Sequence, residues 1–418
     1  MLAVERGADK KTSCPSPLPP SSFGCALLLK TIDKLQYLVL FVTPPAELRQ
    51  ASKLDLAAQT QAAPASAAAA PASLRELPSA AECAAHLQLL ETFVALHGTV
   101  RLLAADAGLA PGAAWDSYCD RAVARFEAWS ADGPRPAERM PPVDVLMAWH
   151  ALMLHPRAYA HFIELGGRLG LDGLKWSEIS NLTIPDIDLP SLSTAHTGVF
   201  THRSPTGTPL FTYPLAAAIR RQLSFSTKMA RHAWLRSPSV ASTLGRARAR
   251  YARFFSLVAA HPRTVMVPTL DVDLVWHTHQ LSPARYLAFS KRAAAGRLVD
   301  HDDEIADETL GALAADMQAL WADAFDGDAY HACLCWACEG GRAGVDGRAV
   351  EAALRDEEAA GRGGSVLPPA DLAFPRCGDC GNHPDSCCPS VEGAAGCGSG
   401  CGGGCGGEGG CGSCGAMR

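Results

Sequence analysis

PTLDVDLVWHTHQLSPARYLAF, Pro268 to Phe289, repeats the pattern of PPVDVLMAWHALMLHPRAYAHF, Pro141 to Phe162. Laid over each other without a gap, the two stretches share nine of 22 positions: Pro141/Pro268, Asp144/Asp271, Val145/Val272, Trp149/Trp276, His150/His277, Leu154/Leu281, Pro156/Pro283, Tyr159/Tyr286 and Phe162/Phe289. Several of these are rare residue types, so chance is a poor explanation. In each copy the Asp reads as an N-cap and the next ten residues as one helix. His155-Pro156 and Ser282-Pro283 then place Pro at the first position of a second helix, with Ser282 as its N-cap.

The segments around the copies are helical too. Ser79-Ala-Ala-Glu82 has the form of a capping box. Leu87, Leu90, Val94 and His97 follow at helical spacing up to about Gly108. Further helices are expected over Trp115–Trp129, Pro214–Leu235, Leu244–Ala260 and Asp303–Phe325. Residues 170–209 are rich in Ser, Thr, Pro and Gly and read as a long connection. Val265 to Val267 is the best short strand. The expected fold is all-α: a multi-helix domain over 79–340 containing two related Trp-His helical units.

Both ends differ in composition. Residues 1–78 are a Pro/Ala-rich lead-in, expected to be largely disordered. Residues 341–376 read as a linker with one weak helix. From 377 to 418 Gly and Cys dominate, with few apolar side chains to offset the entropy of ordering. The net charge of −6 and the scattered basic residues argue against nucleic-acid binding. No apolar run is long enough to span a membrane; the longest candidate, Leu35 to Val42, is a buried strand or helix segment at most. No signal peptide is read, so the expected compartment is the cytoplasm, where thiols stay reduced.

The second copy carries groups that the first lacks. On a helical wheel the first copy is apolar nearly all round, which fits a central buried helix. Asp273, His279 and Gln280 replace Leu146, Leu152 and Met153. If that helix is equally buried, each of these groups needs a partner, because an unpaired buried polar group costs about 1–3 kcal/mol. Asp273 and His277 share a helical face, with Gln280 near Asp273, whereas His279 projects about 200° away from His277. His301-Asp302-Asp303 forms a second polar cluster that, as a helix-start sequence, would point back to the same place. Asp273, His277, His301 and Asp302 or Asp303 make a reasonable nitrogen/oxygen metal set. The competing readings are a structural histidine beside Trp at His150/His277, helix caps at Asp144/Asp271, and a buried packing network.

Twelve of the 16 cysteines lie after residue 332. Cys333, Cys335 and Cys338 stand close together, but a single CxxC is a weak metal signal; thiols packed with Trp336 against the helices are the alternative. Cys377, Cys380, His383, Cys387 and Cys388 offer enough ligands for one zinc. Cys397, Cys401, Cys405, Cys411 and Cys414 sit among glycines, which let a chain wrap a soft-metal cluster or serve as an interaction tail. There is no phosphate-binding loop, dinucleotide fingerprint, His-Glu-x-x-His or nucleophile elbow.

The string Asp271-Val-Asp273-Leu-Val-Trp276-His277-Thr278-His279-Gln280-Leu281-Ser-Pro283-x-x-Tyr286 resembles the signature of the glycine-rich domain-containing protein family of plants and fungi. So do Val143-Asp144-Val145-Leu146-Met147-x-Trp149-His150, the helix with Arg221-Gln222 and Phe225, His301-Asp302-Asp303, and Cys333-x-Cys335-Trp336-x-x-Cys338. The resemblance is to the fungal style of member, covers about residues 80–340, and extends to the tail in kind. It implies a central domain without an assigned chemistry. Some plant members carry an RNA-binding-like segment, which this sequence lacks.

Two functions follow as expectations. The first is a helical interaction or scaffold protein with protein partners and a metal- or partner-binding Gly/Cys tail. The second is a metal-dependent enzyme or small-ligand binder using Asp273, His277, His279 and His301, with zinc or another soft metal as the expected ion. An enzyme should bring these groups together on one open pocket; a scaffold should show them hydrogen-bonded to one another and sealed.

Overall fold

Ser79 starts the structure as its sequence suggests. In a computed structural model, which describes residues 75–131, 140–167, 169, 173–305, 307–326, 328–362 and 416–417, the Ser79 hydroxyl accepts from the Glu82 amide at 3.1 Å and the Glu82 carboxylate accepts from the Ser79 amide at 2.7 Å. Two otherwise orphaned donors are thereby satisfied. Helix α1, Ala80–Asp106, follows. Its apolar side chains lie on nearly all sides, from Cys83 and Leu87 to Leu96 and Val100, so it is built to be surrounded. Leu77, two residues ahead of the cap, is already in the core.

The other elements in chain order are α2 (Pro111–Ala131), α3 (Val143–Met153), α4 (Pro156–Glu164), β1 (Phe200–Arg203), β2 (Pro209–Tyr213), α5 (Leu215–His232), α6 (Val240–Ala260), α7 (Leu270–Gln280), α8 (Pro283–Ala293), β3 (His301–Asp302), α9 (Asp307–Ala324), α10 (Trp336–Arg342), α11 (Gly347–Arg362) and β4 (Ala416–Met417). The fold is all-α with a few short strands. Helix α1 packs against α2, α5, α6 and α7; α3 lies against α2 and α5, and α7 against α6 and α8. Every residue of α3 and of α7 is buried. Each is followed by a helix with Pro at its first position.

The two shared Asp residues are not caps. Pro142 and Thr269 hold the N-cap positions, and Asp144 and Asp271 stand at the second helical position, facing inward. There they meet arginines: Asp144 meets Arg125 of α2 at 2.5 Å, and Asp271 meets Arg250 at 2.9 Å and Arg246 at 3.1 Å, both from α6. An ionised carboxylate buried without such a partner is strongly destabilising, so these pairs fix how each helix seats on its neighbour. Ser282 occupies an N-cap position, but its side chain makes no cap hydrogen bond.

Three other expectations are corrected. Val265–Val267 is not a strand; Met266 makes an isolated bridge. Pro262 and Pro268 flank it and donate no ladder hydrogen bond. The segment 170–209 is not a bare connection, because it contains two 3-10 turns and strand β1. Strand β1 pairs antiparallel with β2, with Phe200 opposite Tyr213 and a bulge at His202/Arg203. Phe200 packs on Phe126 and Phe162, which seals the hairpin to α2 and α4. His301-Asp302 does not start a helix either: it is a short strand, paired with Ala416–Met417, ahead of α9.

Where the connection returns to the core, Gly173 has φ +146°. A Cβ there would come within 2.6 Å of the Leu281 carbonyl at the end of α7, to which Leu174 donates at 3.1 Å. Only glycine fits that approach. Helix α11 docks on α10 through Val350 and is tied to the domain by a Glu357–Arg236 ion pair.

Candidate metal centre

Helix α7 supplies two of the three groups that converge. Asp273 and His277, four residues apart, rise from one face, with His277 Nε2 and Asp273 Oδ1 3.2 Å apart. His301, from β3, brings its Nε2 to 3.0 Å from His277 Nε2. The three donor atoms lie within 4.8 Å of one another, all on buried residues. Phe225 packs on His277 at 4.4 Å between ring centres and Trp276 on His301 at 4.8 Å, so apolar walls enclose the group.

Electrostatics do not make this an ordinary ion pair. Burial pushes the Asp273 carboxyl well above the usual range; neighbouring Asp303 adds to this and Lys228 opposes it. Burial pulls His277 well below its ordinary value, helped by His301, His86, His150 and His155. His301 is lowered mainly by burial as well. Both groups are thus shifted toward their neutral forms. Among the described residues, neither Asp273 oxygen has a hydrogen-bond partner.

A second ring of polar groups surrounds this set. Asp303 is buried, accepts from Gln222 at 3.0 Å and pairs with Arg221 at 3.0 Å. His155 lies 3.7 Å from the same carboxylate. Burial alone would raise Asp303, but His155, His301, Arg221 and the Gln222 hydrogen bond outweigh it and hold it down.

The remaining candidates fall elsewhere. His279 points to the other side of α7, where its Nδ1 meets the Tyr251 hydroxyl at 3.1 Å. The Gln280 amide, in the orientation its neighbours require, donates to the Leu154 carbonyl at 3.2 Å and accepts from Trp276 at 2.8 Å, so it is a packing residue rather than a neighbour of Asp273. Asp302 is half-buried and accepts from the Glu304 amide at 3.0 Å. Cys333, Cys335 and Cys338 come together as thiols away from this centre. Cys377, Cys380, His383, Cys387, Cys388, Cys397, Cys401, Cys405, Cys411 and Cys414 lie outside the described residues.

Sequence reasoning missed His155, Gln222 and the pair His86/His150, whose Nε2 atoms stand 3.1 Å apart while His86 Nδ1 meets Thr278 at 2.9 Å. One signal was available. His150 aligns with His277, and each faces another histidine through Nε2, His86 in one case and His301 in the other. His86 itself is a single histidine in an apolar helix, which gives no warning in the sequence.

Residues 181–288 match the family described as Glycine-rich domain-containing protein-like. The chain carries a glycine-rich domain-containing protein-like region. That region spans Gln222, Asp273 and His277 and ends ahead of His301. Two relatives come from Arabidopsis thaliana. Glycine-rich domain-containing protein 1 is 29% identical over 192 residues, 41% of this chain and 22% of that protein. Glycine-rich domain-containing protein 2 is 34% identical over 104 residues, 24% of this chain and 13% of that protein. The chain therefore spans less than a quarter of either relative's length. No solved structure matches. Among the described residues no helix is long and apolar enough to cross a membrane.

Proposed function

We propose that the helical domain binds one divalent transition-metal ion through the Asp273 carboxylate, His277 Nε2 and His301 Nε2. The observation that carries this reading is the convergence of three donor atoms within 4.8 Å on buried residues, with both Asp273 oxygens lacking a hydrogen-bond donor among the described residues. A packing network would have satisfied that carboxylate. A dication would satisfy it and oppose its upward pKa shift, and burial lowers both histidines toward the neutral form that ligation requires. Two imidazoles and one carboxylate suit zinc or iron(II) and leave a coordination position for water or another small ligand. Asp303 and His155, just outside the set, are the groups placed to hold a proton near such a ligand.

This supports a metal-binding reading of the helical domain. The Gly/Cys tail from Cys377 onward is proposed as a separate arm for soft metal or a protein partner, on the strength of its ligand spacing. Its thiols fit a reducing compartment such as the cytoplasm.

Elemental mass spectrometry of the purified full-length protein tests the central reading. It is expected to find about one equivalent of zinc or iron beyond what the tail holds, and His301→Ala should lose that equivalent while keeping its helical circular dichroism. Equal metal content in the folded variant and the parent would overturn it.

A further inference from the structure

Cys333 and Cys335 are two apart in the extended loop between α9 and α10, so their side chains leave on the same side while Leu334 between them turns into the main core. Cys338 follows one helical turn later, in α10. The loop is held from several directions. Trp234 donates to the Leu334 carbonyl at 3.1 Å, Arg342 to the Cys333 carbonyl at 2.7 Å, and Trp336 to the His232 carbonyl at 2.7 Å. As packed small hydrophobes these thiols should merge with the main core. Instead they form a cluster of their own: Cys333 and Cys335 are buried against each other, with half-buried Cys338 beside them. All three sulfurs lie within 4.8 Å of one another.

We propose that Cys333, Cys335 and Cys338 form a second metal site, distinct from the Asp273 centre, that takes copper(I) in three-sulfur coordination. Thiolates select soft ions, and copper(I) is among the ions that a close set of sulfur ligands favours. The ion displaces the thiol protons to solvent, and no electron changes hands. Cys338, half-buried, is the side from which the ion arrives.

The test is anaerobic alkylation of reduced, metal-free, full-length protein, followed residue by residue with mass spectrometry. Copper(I) is added until the tail thiols are also saturated. Cys338 is expected to be modified about tenfold more slowly with copper than without, because a metal-bound thiolate is a poor nucleophile. That protection should vanish in the Cys333→Ser/Cys335→Ser variant, whose tail is intact. Cys338→Ala, at a half-buried position, provides a check that does not disturb the buried thiols: it should hold one copper equivalent fewer against a chelator. An unchanged alkylation rate, equal protection in the double variant, equal protection by zinc, or a Cys335–Cys338 disulfide forming instead would each overturn the assignment. Loss of the Asp273 centre by His301→Ala should leave Cys338 protection unchanged, so the two proposals fail separately.

Discussion

At the residue scale, Asp273 is the group that most needs explaining. The aligned position in the first stretch is Leu146, which is fully buried and apolar. Asp273 is as buried as Leu146 and carries a carboxyl with no hydrogen-bond partner among the described residues. Replacing a buried ionisable group by an apolar one of suitable volume is often neutral or stabilising. Asp273→Leu is therefore expected to keep its metal-free stability to within about 1 kcal/mol of the parent, or to exceed it. It should also lose the stabilisation that added metal gives the parent. Urea unfolding with and without metal measures both; a variant several kcal/mol weaker that still responds to metal would show that Asp273 serves packing. His279 and Gln280 also replace apolar residues; Leu154 and Trp276 satisfy the Gln280 amide, whereas Tyr251 meets only Nδ1 of His279.

At the scale of elements, α7 is held in place by its charged start and its surroundings rather than by a cap. Asp271 meets Arg246 and Arg250. Arg250 also donates to Thr269 and to the carbonyls of Ala329 and Tyr330, and lies 4.9 Å from the Trp321 ring. One side chain thus links α6, α7, α9 and the loop ahead of α10. Although burial alone would raise the Asp271 pKa, Arg250 and Arg246 hold that carboxyl far below its usual range. Arg250→Leu leaves this charge buried with one partner fewer and should cost about 3–5 kcal/mol, read as a fall in the urea midpoint. A loss under about 1 kcal/mol would mean that Arg246 alone suffices. The helices themselves were legible, since α1 follows from its capping box and α3, α5, α6 and α7 from runs of apolar residues compatible with buried helices. The hairpin at Phe200–Tyr213 was not, because its Ser, Thr, Pro and Gly neighbours mask two short alternating runs. The Asp residues misled as caps because the same residue type that caps a helix also pairs with arginine from its second position, and sequence order does not reveal Arg125 or Arg250.

For the whole molecule, the buried histidines set the pH response. Burial pushes His150 down to about 3 and His155 to about 4, the latter against the opposing pull of Asp303, and lowers His86 as well. In the unfolded chain His150 and His155 each take up a proton near pH 6.5, about two pH units or more before the folded state does. From about pH 6.5 down to about pH 4, the unfolded chain binds more protons, so stability falls with pH, on the order of 2–3 kcal/mol for each such histidine. Asp273 works the other way: its raised pKa makes the folded state hold an extra proton above the usual carboxylate range, which favours the fold at low pH. One carboxyl does not offset several histidines. Metal-free protein should therefore unfold at a markedly lower urea concentration near pH 4.5 than near pH 7.5, and an unchanged midpoint would mean that the histidines titrate normally. Part of the centre was legible at this scale, in Asp273 and His277 sharing a helical face. That His301 reaches them from a strand, with Asp303, His155 and Gln222 around it, depends on packing between segments far apart in the chain.

The most direct measurement is the absorption spectrum of cobalt(II) added to metal-free full-length protein and to its Asp273→Leu and His301→Ala variants. Nitrogen and oxygen ligands give cobalt visible ligand-field bands without the intense sulfur charge-transfer bands that cysteine ligation adds. The account predicts one equivalent with the nitrogen/oxygen signature in the parent and its loss in both variants, with any sulfur-bound cobalt unaffected. A parent that binds cobalt only through sulfur, or variants that keep the nitrogen/oxygen bands, would contradict a metal centre at Asp273, His277 and His301.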